Sequence, residues 1–210
     1  MAKGIEKTNT FYAKDRKAWR KWLEKNHDTA PGIWLIYYKK DSGKSRVAYA
    51  DAVEEALCFG WIDSTLNPID ADSYMQLFTP RKEKSGWSKL NKERVEKLIA
   101  QGLMTDAGMK KIEAAKKQGT WNKLDHIESF IVPPDLQKAF DANHHAKKYF
   151  DSLSNTNRKM MLYYINNVKR EASRAKRIEE IIAAANENRL LDRFYNPSVL
   201  AKRKSQAAKG

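Results

Sequence analysis

A chain of 210 residues with 41% hydrophobic and 10% aromatic residues is long enough for a full core and too apolar for a disordered polymer. Its formal charge of +14 favours polyanionic partners or a well-solvated lysine surface, and speaks to association and not to fold. No apolar run approaches the ~18 residues of a membrane-spanning helix, no apolar signal region follows Met1–Lys7, and a lone cysteine fits a reducing compartment, so a soluble cytoplasmic protein is expected.

In chain order, Ala18, Trp19, Trp22 and Leu23 set an apolar stripe on a helix over 14–26. Pro31-Gly32 breaks it, and 33–38 reads as a strand apolar on both faces. A polar loop containing Asp41-Ser42-Gly43-Lys44 leads to the central stretch, Tyr49 to Ser64. There Ala52, Val53, Ala56, Leu57 and Gly60 line one side of a buried helix that Gly60 closes in a left-handed cap. A strand over 61–66 follows at once, with Trp61, Asp63 and Thr65 on one face and Ile62, Ser64 and Leu66 on the other. Asn67-Pro68 turns the chain into a hairpin partner over 74–79. Ser85 or Ser88 caps a helix over about 87–101, and Thr105-Asp106 starts another that stops at Gly119.

Strands mixed with helices, including an adjacent hairpin, predict an α+β fold: a small mixed sheet with packed helices over 1–120. Residues 121–134 read as a connection. Helical segments over 135–143, 145–152, 155–168 and 171–187 predict an all-helical bundle ending near 195, and 196–210 reads as a disordered basic tail.

Two stretches resemble the YdeI/OmpD-associated family, also called bacteriocin-protection proteins. The first is Tyr49 to Ser64; the second is Gln76-Leu77-Phe78-Thr79-Pro80-Arg81-Lys82 with Ser85, Gly86, Trp87, Ser88 and Asn91. The similarity resumes at Tyr164-Ile165 and from Val168-Lys169-Arg170 through Arg177-Ile178, and spans most of residues 10 to 190. Ala172-Ser173 departs from the family's usual Glu-Thr pair. The resemblance implies a protective, stress-related role linked to tolerance of bacteriocins and cationic antimicrobial peptides, without a defined reaction.

The residues themselves point to a pocket on the hairpin. Trp61 and Asp63 share one strand face; Tyr74, Gln76 and Phe78 share one face of the partner. Arg81 and Trp87 follow, and Trp87, Asn91 and Arg94 fall at i, i+4 and i+7 on the next helix. Aromatic walls with convergent polar groups suit a small ligand, and a guanidinium suits an anionic one. The competing reading pairs Asp63 with Arg81 or Arg94 and leaves the indoles as core.

Cys58 lies near a helix C-terminus, where the dipole disfavours a thiolate, so a buried inert thiol is expected. His144-His145 diverge on a helix, no metal-ligand spacing, glycine-rich phosphate loop or catalytic triad occurs, and no cofactor or reaction is implied. The alternative function is nucleic-acid association. Arg170, Arg174 and Arg177 fall on one helical face with Lys169 and Lys176 alongside, a row able to grip phosphates. Pairs Glu171–Arg174 and Lys176–Glu180 would neutralise part of it. Partners are thus an unknown small ligand or protein, with nucleic acid as the alternative.

Overall fold

The computed structural model describes residues 5–168, 170–195 and 200. The fold is α+β. Chain contacts divide it into two units, with the break between Leu124 and Asp125. The expected basic tail, Leu200 apart, and Lys169 lie outside the described residues.

In the first unit, β1 (Thr10–Tyr12), β2 (Ile33–Tyr38), β3 (Trp61–Pro68) and β4 (Ser73–Pro80) form a sheet in the order β1-β2-β4-β3. β1 runs parallel to β2, and the other pairs are antiparallel, so the sheet is mixed. The register places Leu35 opposite Gln76 and Tyr37 opposite Tyr74, and Asp63 opposite Phe78. A bulge between Asp63 and Leu66 then shifts the ladder by one. The strict alternation expected for 61–66 fails there: Leu66 lies opposite Gln76, on the face of Asp63 and not that of Ile62.

α1 (Arg16–Asn26) begins where the Asp15 carboxylate accepts from the Ala18 N–H at 2.7 Å. Trp19 and Leu23 are buried; the Trp19 ring meets Phe78 of β4 at 5.3 Å, and its indole N–H donates to the Ala52 carbonyl at 3.0 Å. α2 (Tyr49–Cys58) is buried along Ala52, Val53, Ala56 and Leu57. Its Glu55 is also buried, at 2% exposure, and is held by Arg16 Nε at 2.6 Å and Arg20 Nη1 at 2.7 Å. A lone carboxylate there would be costly; two guanidiniums from α1 tie the helices together.

Gly60 ends α2 with φ +72°, as the sequence predicts, and redirects the chain into β3. α3 (Lys89–Ala100) is capped by Ser88, whose hydroxyl accepts from the Asn91 N–H. α4 (Asp106–Lys117) is capped by Thr105 and approaches the end of α2 closely. Gly108 permits this: a Cβ there would stand 2.3 Å from the Cys58 carbonyl oxygen.

The second unit contains α5 (Asp125–Glu128), α6 (Pro134–Asp141), α7 (His144–Ser152), α8 (Asn155–Asn166) and α9 (Glu171–Asn186). Ser154 caps α8 as expected. Phe140 and Phe150 pack at 5.0 Å, and Met161, Ile165, Ile178 and Ile181 complete the core. α5 falls within a stretch the sequence presents as a connection.

In an ordinary helix Gly→Ala stabilises by about 1 kcal/mol. Gly108→Ala is expected instead to destabilise by about 2 kcal/mol, since overpacking against backbone has no cheap relief. Urea unfolding of the purified variant checks the sign.

Candidate functional site

The α2–β3 junction builds one wall of a pocket. Gly60 turns the chain, Trp61 drops its ring into the core at 1% exposure, and the Trp61 indole N–H donates to the His27 carbonyl at 3.1 Å. Trp22 meets the same ring edge-on at 5.7 Å. β4 ends beside this turn, where the Arg81 backbone N–H donates to the Gly60 carbonyl at 2.9 Å. The Arg81 guanidinium lies over Trp87 at 3.7 Å and donates through Nη2 to the Gly86 carbonyl at 2.8 Å. It is 5% exposed, and burial pulls its pKa down to about 10, with the nearby Asp63 charge opposing. It is therefore still a cation at neutral pH.

A pocket of about 570 Å³ opens here. Its lining combines His27 and Asp28 beyond α1, Phe59 to Trp61, Pro80 to Glu83 and Trp87. Asp106, Ala107, Lys110, Lys111, Ala114 and Ala115 of α4 complete it. Trp61, Arg81 and Trp87 thus share one cavity wall. The α4 residues and His27-Asp28 carry no local sequence signal for this; only the close approach permitted by Gly108 brings α4 in.

The other residues proposed for the pocket lie elsewhere. Asp63 accepts from the Tyr49 hydroxyl at 2.7 Å and from Gln76 Nε2 at 3.3 Å, and Gln76 also donates to the Ser64 carbonyl at 2.9 Å. No arginine is within ion-pair distance of Asp63 among the described residues, so neither Arg81 nor Arg94 pairs with it. Tyr74 stacks on Tyr37 at 5.1 Å and 7°, and its hydroxyl accepts from Arg46 at 3.3 Å. Arg94 donates to Asn91 Oδ1 at 3.0 Å. Trp87 precedes α3, whose first residue is Lys89, so the expected stripe with Asn91 and Arg94 does not form; Trp87 packs on Trp121 at 4.9 Å.

On α9 the arginine row is real in sequence, yet its members differ in what they touch. Arg174 forks onto Asp135 at 2.5 and 2.9 Å and donates to the Ile165 carbonyl. Arg177 lies over the Tyr164 ring at 4.3 Å and donates to the Tyr164 carbonyl at 2.6 Å. Glu180 accepts from the Tyr164 hydroxyl at 2.6 Å. Arg170 and Lys176 are exposed. The expected Glu171–Arg174 and Lys176–Glu180 pairs give way to these longer-range partners.

Residues 129–188 match the family model described as bacteriocin-protection, YdeI or OmpD-associated. Residues 11–111 match another, a domain of unknown function (DUF8412). Comparison with curated proteins and with solved structures found no match. The resemblance to the bacteriocin-protection family is borne out over α6 to α9, where the Tyr164 and Arg177 cluster lies. The stretches Tyr49 to Ser64 and Gln76 to Asn91 fall instead in the region matched by the other model, so the family's span contracts from the 10–190 expected.

Cys58 is buried, and burial, then the charge of Glu55, push its thiol up to about 11. Among the described residues no group of histidine, cysteine and carboxylate side chains is arranged to hold a metal, and no helix is long and apolar enough to cross a membrane. At pH 8 iodoacetamide is expected to label Cys58 at least about a hundredfold more slowly than the unfolded chain, the deficit in thiolate. Equal rates in native and urea-unfolded protein would contradict this.

Tyr37 is fully buried, and its hydroxyl has no partner among the described residues. Burial, then Tyr74, raise its pKa far above the ordinary phenol value, and burial with Asp63 takes Tyr49 to about 12. Above pH ~10 the unfolded chain gives up phenolic protons that the native state keeps, so stability falls as pH rises. Tyr37→Phe is expected to raise stability at pH 7 by about 1 kcal/mol, because an unsatisfied hydroxyl is removed. It also flattens the alkaline loss, which Tyr49 then carries; denaturation midpoints at pH 7 and 11 test both.

Proposed function

We propose that this is a non-enzymatic, cytoplasmic, stress-related protein of the bacteriocin-protection type, which acts by binding a small ligand in its N-terminal unit. The match over 129–188 supports the protective class. The observation that carries the ligand is Arg81: a guanidinium 5% exposed, with no carboxylate at ion-pair distance among the described residues, on the wall of a pocket of about 570 Å³. That volume lies in the range of small-molecule sites, about 300–1,000 Å³. A buried cation held by a carbonyl, an indole face and the more distant Asp63 charge, without an ion pair, is expensive to keep.

Net charge argues against simple capture of cationic peptides, since a chain of +14 repels them. Protection then runs through the pocket's ligand. Phosphate binding along α9 is the weaker reading, because Arg174 and Arg177 already spend donors within their own unit.

The test is survival of a deletion strain challenged with bacteriocins or cationic peptides. Deletion is expected to lower survival, the intact gene to restore it, and Arg81→Gln to fail to restore it at equal protein level. Equal survival of deletion and parent strains rejects the reading.

A further inference from the structure

The pocket's walls narrow what it takes, given the reading that it is a binding site. Arg81 offers unused donors there. One Nη2 hydrogen goes to Gly86, while the second Nη2 hydrogen, Nε and Nη1 have no acceptor among the described residues, so Nη2 can still form a fork with a neighbouring nitrogen. Among the described residues the sealed, unpartnered side-chain atoms are Tyr37 Oη and Arg158 Nε, and no Arg81 nitrogen is one of them. In a residue 5% exposed that lines a cavity, the remaining access is to the cavity. The guanidinium is also held rigid by Trp87 beneath it, so its fork is preorganised for an oxyanion.

The indoles are closed to a ligand. Trp61 and Trp87 are 1% and 2% exposed, and Phe59 is buried, so these rings leave no broad face for stacking; the half-buried His27 offers only its small imidazole. The rest of the lining is charged in both signs: Lys110, Lys111 and Asp106 of α4, with Lys82 and Glu83 after β4. Side chains of this kind bind hydroxyl groups, as donors and as acceptors. The volume exceeds what a bare oxyanion would fill.

We propose that the pocket binds a polyhydroxylated oxyanion, a sugar phosphate or a sugar acid, with its anionic head on Arg81 and its hydroxyls on the charged α4 wall. A nucleotide, which needs a stacking face, is excluded from this class.

Titration calorimetry on the full chain at low salt, with ribose 5-phosphate, gluconate, AMP and ribose, tests it. Ribose 5-phosphate or gluconate is expected to bind, and whichever is tighter identifies phosphate or carboxylate as the head. Ribose is expected to bind at least about tenfold more weakly, and AMP no tighter than ribose 5-phosphate. Arg81→Lys, which keeps the charge and loses the fork, should cost about tenfold or more. Lys110→Glu with Lys111→Glu, on the pocket rim, should weaken binding without disturbing the core. AMP binding about tenfold tighter, or indifference to Arg81→Lys, overturns the proposal. A screen of neutral fragments, read on the Trp61 and Trp87 indole N–H signals, separates the two readings. Neutral fragments that perturb those signals while the oxyanions do not overturn the ligand class alone. Silence from both overturns the pocket as well.

Discussion

The last carbonyls of a helix have no partners within it, and in this protein the way those of α2 are satisfied organises the whole N-terminal unit. The Cys58 carbonyl accepts from the Thr105 hydroxyl at 2.6 Å and from the Thr105 N–H at 3.2 Å, which fixes the start of α4 against the end of α2. Two residues on, the Gly60 carbonyl accepts from the Arg81 N–H, which fixes the end of β4 to the same turn. A helix end, a strand start, a strand end and a helix start therefore converge within a few residues. The pocket is the space that this convergence leaves. Gly108 is part of the same constraint, since any side chain at that position would push α4 off the carbonyl it caps.

Placement of the arginines follows from what each one can find. Arg16 and Arg20 reach the buried Glu55, so their charge is cancelled where it enters the core. Arg174 finds Asp135 and forms a fork, and Arg177 finds a backbone carbonyl and a phenol ring. These cations hold elements together. Arg81 is buried more deeply than any of them, yet among the described residues its guanidinium receives only a carbonyl and an indole face. A net charge of +14 says nothing about this difference, because it counts cations without regard to what surrounds them.

Much of the fold was legible because its signals are local. β2 is apolar on both faces, α1 carries a stripe at i, i+1, i+4 and i+5, and Gly60 marks its own left-handed turn. β1 escaped because it is only Thr10–Tyr12 and owes its strand character to parallel pairing with β2, which no short window contains. The bulge after Asp63 escaped for a related reason: it is a property of two strands together. Of the candidate site, Trp61, Arg81 and Trp87 were within reach, since they flank the turn and the strand end. Lys110 and Lys111 were not, because their approach depends on a hydrogen bond between residues 58 and 105. The same limit applies on α9, where Arg174's partner lies 39 residues away and helix-surface neighbours at i+3 and i+4 are outcompeted.

The aromatic residues that drew attention to the pocket turn out to serve it indirectly. An indole at 1–2% exposure cannot recognise a ligand, but it can set where its neighbours stand. Trp61 holds the turn through His27, and Trp87 supplies a flat surface on which a guanidinium loses little further freedom when it meets an anion. Because that surface is apolar and Arg81 is only 5% exposed, the cation is poorly solvated, which strengthens its attraction for a nearby opposite charge. On the proposed reading, the tryptophans would raise the value of Arg81 as a recognition group while withholding themselves from contact. Selectivity in the proposed site would come from charge and hydroxyl pattern, with little contribution from ring shape.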